Sequence, residues 1–305
     1  MRVLVIVNRL SGGGDASLYD YLRALGTLCD EISVRYFSGA CEMENLLYDA
    51  ETFDRVVAAG GDGTVSAVCY ALSDTQIPVL CYPAGTANLL ALNLGIHLEP
   101  RVLAETTVSG PTAAFDLGVI EQPGVDGADS TVTGFIITAG AGYDAAIMEA
   151  ASSMKSTFGP AAYLLGAVGA LTPTHAHFEI ELDGERISTD GIAVLVVNFG
   201  RIQFDIEFAR GADPRDGLFD IAVVRSKNLA ELVPTVVAGV FDRTGDRNAI
   251  PGIDVYSASR VSVKSDPPLR MQYDGEVAEA FTPFTAWVLP GAATLVLPPD
   301  SPFAT

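Results

Sequence analysis

Ten residues, Val56-Val57-Ala58-Ala59-Gly60-Gly61-Asp62-Gly63-Thr64-Val65, restrict the folds open to this chain more than any other stretch. A short apolar run rich in β-branched residues delivers three glycines and an aspartate, and a helix-like segment follows from about Thr64 to Leu72. Strand, glycine turn and helix start in succession aim backbone N–H groups and a helix N-terminus at one point. An anion such as a phosphate suits that arrangement. Glycine matters because a Cβ would hold the backbone away from the ligand. A tight strand–helix turn with no ligand has the same letters, so the stretch alone leaves both readings open.

Two further loops of similar character lie on either side. Arg2–Val7 reads as a buried strand and runs into Asn8-Arg9-Leu10-Ser11-Gly12-Gly13-Gly14, where Asn8 and Ser11 can hydrogen-bond a nucleotide and Gly12 permits close approach. Ile77–Tyr82 reads as a strand ended by Pro83-Ala84-Gly85-Thr86, before a helix-like Ala87–Leu94. Thr86 and Asn88, near a helix start, suit phosphate contact or N-capping equally. Between these, Ile32–Phe37 and Arg55–Ala59 read as strands and Glu42–Ala50 as a helix. The β-α-β-α rhythm predicts a mostly parallel sheet with helices on both faces. Ligands of such sheets bind beyond the carboxyl ends of the strands, where all three glycine-bearing loops fall.

After about Pro111 the pattern changes. Ala113–Ile120, Val132–Ala139, His177–Leu182, Ile192–Asn198, Leu218–Val224, Arg260–Lys264 and Ala286–Leu289 are short strand-like runs with turns between them. Asp183-Gly184 between two of these runs signals a hairpin. Helices are predicted at Gly159–Leu171 and Leu229–Asp242. This half reads as an antiparallel, sandwich-like β domain. The fold class is therefore α/β in two domains. An N-terminal α/β nucleotide-binding domain with a mostly parallel sheet spans 1–115, and an antiparallel β-sandwich-like domain spans 116–289.

Of the 305 residues, 38 are acidic and 18 basic, a net charge of −20. That excludes nucleic acid as a partner, since its phosphates demand a basic surface. The four cysteines form no C-x-x-C pair and read as reduced thiols, which points to a cytoplasmic protein. The apolar run Ala161–Leu171 has about half the length of a membrane span. His175 and His177 have no third ligand near them in sequence, so they read as ordinary histidines.

Read in order, these blocks resemble the diacylglycerol kinase catalytic-domain family, and specifically the soluble bacterial lipid kinases related to diacylglycerol and sphingosine kinases. Asn8-x-x-Ser11-Gly12 is similar to the family's Asn-Pro-x-Ser-Gly loop, with Arg9 in place of proline. Gly60-Gly61-Asp62-Gly63-Thr64 resembles its nucleotide-loop signature, and Pro83-Ala84-Gly85-Thr86-Ala87-Asn88 its Pro-x-Gly-Thr-x-Asn block. Asp116-Leu117-Gly118, Gly142-Tyr143-Asp144-Ala145, Phe158-Gly159, Asn198, Asp216-Gly217-Leu218-Phe219-Asp220 and Asp274-Gly275-Glu276 follow in family order.

The resemblance implies a nucleotide domain completed by 290–305, with ATP as co-substrate and Mg²⁺ as cofactor. It implies a lipid that receives phosphate on a hydroxyl, and it is compatible with transient contact with a membrane surface and with a homodimer. It implies Glu276 as the general base, with Asp62 and Asp116 ordering the metal and its waters. Nucleotide contacts would come from Asn8, Ser11, Gly12, Ser38, Gly60, Gly61, Asp62, Gly63, Thr64, Thr86 and Asn88. A structural Mg²⁺ would sit on Asp216 and on the carbonyls of Asp213 and Leu218. Phe135, Tyr143, Phe158, Tyr163 and Phe199 would line an acyl seam or form ordinary core. The chain departs from the pattern at Ala67, at Leu89 and in 201–206. Two alternatives therefore stand beside the lipid kinase: an NAD-kinase-like enzyme, and a catalytically weak nucleotide- or lipid-binding regulator.

Overall fold

The structure is a computed structural model that describes residues 1–11, 16–38, 42–124, 129–142, 173–202, 206–207, 212–225 and 252–304. Gly12, Tyr143, Phe158, Tyr163, the two predicted helices at Gly159–Leu171 and Leu229–Asp242, and 203–205 lie outside the described residues.

The first elements are β1 (Arg2–Asn8), α1 (Ser17–Leu25), β2 (Glu31–Phe37), α2 (Met43–Leu46), β3 (Arg55–Gly60), α3 (Asp62–Ala71), β4 (Val79–Pro83), α4 (Leu89–Leu94), α5 (Pro100–Ser109) and β5 (Thr112–Gln122). Then come β6 (Thr131–Phe135), β7 (Thr138–Gly142), β8 (Ala176–Leu182), β9 (Glu185–Gly191), β10 (Ala193–Val197), β11 (Arg201–Ile202) and β12 (Ile206–Glu207). The remainder are β13 (Phe219–Val224), β14 (Ile253–Ala258), β15 (Arg260–Asp266), β16 (Arg270–Tyr273), β17 (Glu276–Phe281) and β18 (Phe284–Val296). The chain divides into two compact units, Met1–Leu117 with Leu289–Thr305, and Gly118–Val288.

In the first unit the sheet order is β2-β1-β3-β4, followed by the end of β18, and every one of these pairings is parallel. Its central strands are buried on both faces, with Val3–Ile6 and Val56–Ala58 wholly inaccessible. That is why they read as unbroken apolar runs rather than alternating ones. Helix α5 was not evident from periodicity. It opens with Glu99, whose carboxylate accepts from the N–H of Arg101 and Val102, and with Pro100 in its first turn. Proline is suited there because that turn has no acceptor for its N–H. The helix predicted over Glu42–Ala50 is instead α2 plus a 3₁₀ turn at Ala50–Thr52. The break sits where Arg35 crosses from β2, donating to the Leu46 carbonyl at 2.6 Å and to both carboxylate oxygens of Asp49.

The second unit packs two sheets on one core. One contains β18-β15-β8-β9 together with β5 and β6, and the other is the antiparallel order β14-β13-β10-β7-β16-β17. Phe178, Ile180, Val261, Val263 and Phe284 from the first sheet meet Ala141, Val194, Val196, Ile221 and Met271 from the second. Phe135 stacks on Phe219 with ring centres 5.4 Å apart. The run Val132–Ala139, predicted as one strand, is broken into β6 and β7 at Ile136–Ile137. The cause is Asp274, whose carboxylate takes the N–H groups of Ile136, Ile137 and Thr138 out of any ladder.

Candidate functional site

The three glycine-bearing loops follow β1, β3 and β4, and they are tied to one another. Asn8 ends β1, accepts from Leu10 N–H through Oδ1 at 2.9 Å, and donates through Nδ2 to Thr64 Oγ1 at 2.8 Å. Thr64 lies in the first turn of α3, so the first loop is anchored to the second. A Cβ on Gly60 would lie 2.5 Å from Thr64 Cβ, so the residue before the turn must be glycine for that threonine to sit where it does. The second loop is joined to the third twice. The Gly60 carbonyl accepts from Ala84 N–H at 2.9 Å. The Asp62 carboxylate accepts from Leu89 N–H and Leu90 N–H, both at 2.9 Å.

Asp62 thus caps α4 from a distance, satisfying donors that a helix start leaves without partners. Asn88, at the start of that helix, has φ 50°. Its side chain is turned back on Gly85, whose N–H it accepts at 2.8 Å and whose carbonyl receives its Nδ2 at 3.1 Å. Gly61 and Gly85 face each other backbone to backbone. A Cβ on Gly85 would collide with Gly61 Cα and stand 3.0 Å from Asn88 Oδ1. Glycine here serves close approach between loops.

Asp62 is 7% exposed. Burial pushes its carboxyl above the usual range, and the N–H groups of Leu90 and Leu89 hold the rise in check. Asp116, 1% exposed, accepts from Gly291 N–H at 2.8 Å and so joins β5 to β18 where Gly291 has φ 62°. Ser11 donates its N–H to the Asn8 carbonyl at 3.2 Å, and Arg9 N–H reaches the Phe37 carbonyl at 3.1 Å, next to Ser38. Ser38 and Thr86 are exposed, and Gly61 and Gly63 are half-buried. The described members of the predicted nucleotide set thus gather at the carboxyl edge of one parallel sheet. The side chains of Asn8, Asp62, Thr64 and Asn88 also hold that edge together.

In the second unit Glu276 is the exposed first residue of β17, paired with Tyr273. The intervening Asp274 and Gly275 have φ 46° and 84°, the two positive values of a tight hairpin turn. Burial, then the negative charge of Glu276 and Asp274, pushes the Tyr273 hydroxyl up. Asp274, 3% exposed, is the organising residue that sequence reasoning passed over in favour of its neighbour. Its signal was present in the Asp-Gly dipeptide, whose left-handed first residue is tolerated best by Asp or Asn. Asn198, also buried, donates from Nδ2 to the Ile136 carbonyl at 2.7 Å, so the break between β6 and β7 is held from two sides.

Asp213, Asp216 and Leu218 form a tight turn before β13. Leu218 N–H donates to Asp216 Oδ1 at 2.9 Å, Asp216 N–H to the Asp213 carbonyl at 3.2 Å, and Arg215 pairs with the Asp213 carboxylate at 3.0 Å. Among the described residues no three His, Cys, Asp or Glu side chains cluster as a metal site. Among them, too, no helix is long and apolar enough to cross a membrane.

Comparison with known proteins agrees with this architecture. Residues 2–120 match the diacylglycerol kinase catalytic domain, and residues 137–297 match the YegS C-terminal NAD kinase beta sandwich-like domain. The chain belongs to the diacylglycerol kinase catalytic-domain family, with the YegS-type C-terminal domain, and is a lipid kinase of that family. A diacylglycerol kinase of Mycobacterium tuberculosis is 30% identical over 68% of this chain and 71% of its own length. An uncharacterized protein of Synechocystis sp. is 29% identical over 83% of this chain, which spans 57% of that relative's length. The crystal structure of a diacylglycerol kinase from Bacillus anthracis superposes with a TM-score of 0.75 over 97% of this chain and 96% of that one, at 20% identity. That likeness is one of fold.

Proposed function

We propose that the protein transfers the γ-phosphoryl group of ATP to a hydroxyl group of a lipid. The new bond joins the lipid oxygen to the γ-phosphorus, the bond between that phosphorus and the β,γ-bridging oxygen breaks, ADP leaves, and Glu276 accepts the hydroxyl proton. The observation that carries the ATP half is the cross-linked edge made by Asn8–Ser11, Gly60–Thr64 and Pro83–Asn88. Asn8–Thr64 and Asp62–Leu89/Leu90 bonds hold three glycine loops at the ends of adjacent parallel strands. Backbone N–H groups fixed in this way stabilise phosphate charge without reorganising during the reaction. Exposed Ser38 and Thr86 supply hydroxyls at the same edge.

Bound Mg²⁺ would neutralise the phosphates as charge moves onto ADP. The residues present suit it in kind. Asp62 and Asp116 offer carboxylate oxygens, and a carboxylate that accepts two backbone donors keeps further acceptor sites. Mg²⁺ is commonly held by one or two carboxylates together with substrate phosphates and waters rather than by a protein cage. A second, structural Mg²⁺ fits the all-oxygen set of Asp216 with the carbonyls of Asp213 and Leu218.

The test is transfer of radiolabelled phosphate from ATP into a panel of lipid alcohols, with NAD as a parallel acceptor, for wild type and Glu276→Gln. Lipid labelling that the substitution abolishes and that requires Mg²⁺ is the expected result. Labelling of NAD and of no lipid would overturn the proposal, as would a Glu276→Gln enzyme as active as wild type.

A further inference from the structure

The outward face of the β8–β9 hairpin carries a hydrogen-bonded chain of serine, histidine and aspartate. Residues along β8 are buried and exposed in turn, so Phe178 and Ile180 enter the core while His177, Glu179 and Glu181 face away from it. The hairpin register places Asp190 opposite His177 and Ser188 opposite Glu179. His177 thereby meets residues 11 and 13 positions away in sequence.

His177 Nδ1 lies 2.8 Å from Asp190 Oδ1, and His177 Nε2 lies 3.0 Å from Ser188 Oγ. What each group can do fixes the direction of both bonds. A carboxylate only accepts, so Nδ1 carries the ring proton. The neutral ring then has its lone pair at Nε2, and Ser188 is the donor there. A nucleophile within hydrogen-bond reach of a base, with the base oriented by a third group, is the arrangement that activates a hydroxyl. His97 provides a contrast, since it directs Nε2 at both carboxylate oxygens of Asp300, 3.0 and 3.2 Å away, rather than at a hydroxyl.

The surroundings decide what could react. Asp266 of β15 stands opposite His177 on its other side. An imidazolium formed when the ring takes the Ser188 proton would thus have Asp190 and Asp266 as neighbours. The cations of this face are already balanced: Arg186 pairs with Glu181 at 3.1 Å, and Lys264 stands opposite Glu179. Around Ser188 the face is therefore net negative. The His177 side chain is 50% exposed and that of Asp190 78%, so the site is open to water. A group that reacts there must bring its own good leaving group.

The geometry points to Ser188 as a self-acylation site, a serine that takes an acyl group from a neutral or cationic activated ester or thioester. Ser188 Oγ attacks the acyl carbon as its proton passes to His177 Nε2. The bond from that carbon to the leaving oxygen or sulfur breaks, and the leaving group departs with the proton returned by His177. Ser188 keeps the acyl group as an ester, and nothing is oxidised or reduced. The carboxylates disfavour anionic donors such as acyl phosphates. The residues proposed for phosphoryl transfer take no part.

The test exposes the full chain to p-nitrophenyl acetate, which is neutral, and to acetylthiocholine, which is cationic, and locates acetyl groups by peptide mass spectrometry over time. Wild type should be acetylated at Ser188 ahead of its other exposed serines, and Ser188→Ala should lose that adduct. His177→Gln should slow it by about 10²-fold or more, the usual contribution of a positioned base. Asp190→Asn should slow it too, because the amide can donate to Nδ1 and so move the ring proton to Nε2. If His177→Gln does not fold, Asp190→Asn carries the comparison. With acetylthiocholine the rate at Ser188 should fall from low to high salt as the attraction is screened. Acetylation spread evenly over exposed serines, or a rate at Ser188 indifferent to His177 and Asp190, overturns the assignment of the nucleophile. A rate with acetylthiocholine that salt leaves unchanged overturns the choice of donor.

Discussion

Asp-Gly-Glu occurs twice in the second unit, at Asp183-Gly184-Glu185 and at Asp274-Gly275-Glu276, and both copies make the same turn. Asp183 and Gly184 have φ 47° and 96°, Asp274 and Gly275 46° and 84°. Each aspartate grips the break between two consecutive strands elsewhere in the unit. Asp183 takes the N–H of Ser259 and Arg260, between β14 and β15, and returns its own N–H to the Arg260 carbonyl. Asp274 takes the N–H of Ile136, Ile137 and Thr138, between β6 and β7, and returns its own N–H to the Thr138 carbonyl. What differs is setting. Asp183 is exposed on the hairpin of edge strand β9, whereas Asp274 is buried beside β7 in the six-stranded sheet. The tripeptide is therefore first a docking device, and the glutamate that follows it is free to act or not. Glu185 is a built-in control for Glu276.

The largest expected difference follows from that control. Glu276→Gln should lower lipid phosphorylation by about 10²–10⁴-fold, the usual contribution of a positioned base, while Glu185→Gln leaves it unchanged. Equal loss in both, or in neither, would dissolve the distinction between the two hairpins. Next comes the cost of removing each grip. Asp274→Ala strands buried N–H groups and should destabilise the fold by about 3 kcal/mol or more in urea unfolding. Asp183→Asn keeps the turn residue type and leaves water to replace what is lost, so about 1 kcal/mol is expected in the same measurement.

The smallest effect is in acid. Burial raises the Asp183 carboxyl, but the N–H and hydroxyl of Ser259 and the N–H of Arg260 outweigh it and hold the group below its usual range. A depressed folded-state value contributes stability that is complete above the unfolded value of about 3.9 and is lost as pH falls through the folded one. The stability gap between wild type and Asp183→Asn should thus be constant near neutrality and shrink as the pH is taken below about 4. A gap independent of pH would mean that the carboxylate's charge contributes nothing to the grip.

These grips also mark where sequence reading succeeds and where it stops. The parallel sheet and its loops were legible because β3 is an unbroken apolar run that ends in glycines, a local pattern with few structural solutions. The sandwich was legible from alternation, as in Ala176–Leu182, whose residues are buried and exposed in turn. Asp274 was not legible as an anchor, because its partners lie 136–138 residues away and nothing near it in sequence names them. The same applies to Asn8 and Asp62, whereas Asn88 binds Gly85 only three residues away. Their residue types suit a ligand, and only the fold reveals that they also bind Thr64, the start of α4 and Gly85. Helix α5 was obscured by Thr106, Thr107 and Val108, β-branched residues that lower helix propensity. The buried hydroxyl of Thr107, bonded to Tyr21 at 2.8 Å, shows that packing against α1 decided the matter.

The return of residues 289–305 to the first unit bears on how the protein is made. Leu295 pairs with Val79, Leu297 N–H reaches the Pro111 carbonyl, Phe303 packs edge-on to Phe115, and Gly291 N–H occupies Asp116. In the complete fold Asp116 is buried and Phe115 entirely so, with that segment among their neighbours. At ribosomal rates of about 5–20 residues per second, the whole of the second unit is synthesised before the first can be completed, a delay on the order of ten seconds or more. During that interval the edge of β4 lacks its β18 partner and Phe115 lacks its contact with Phe303. The glycine loops would gain a finished sheet beneath them only after the second unit exists, so a chain that ends early would leave the sheet under those loops incomplete.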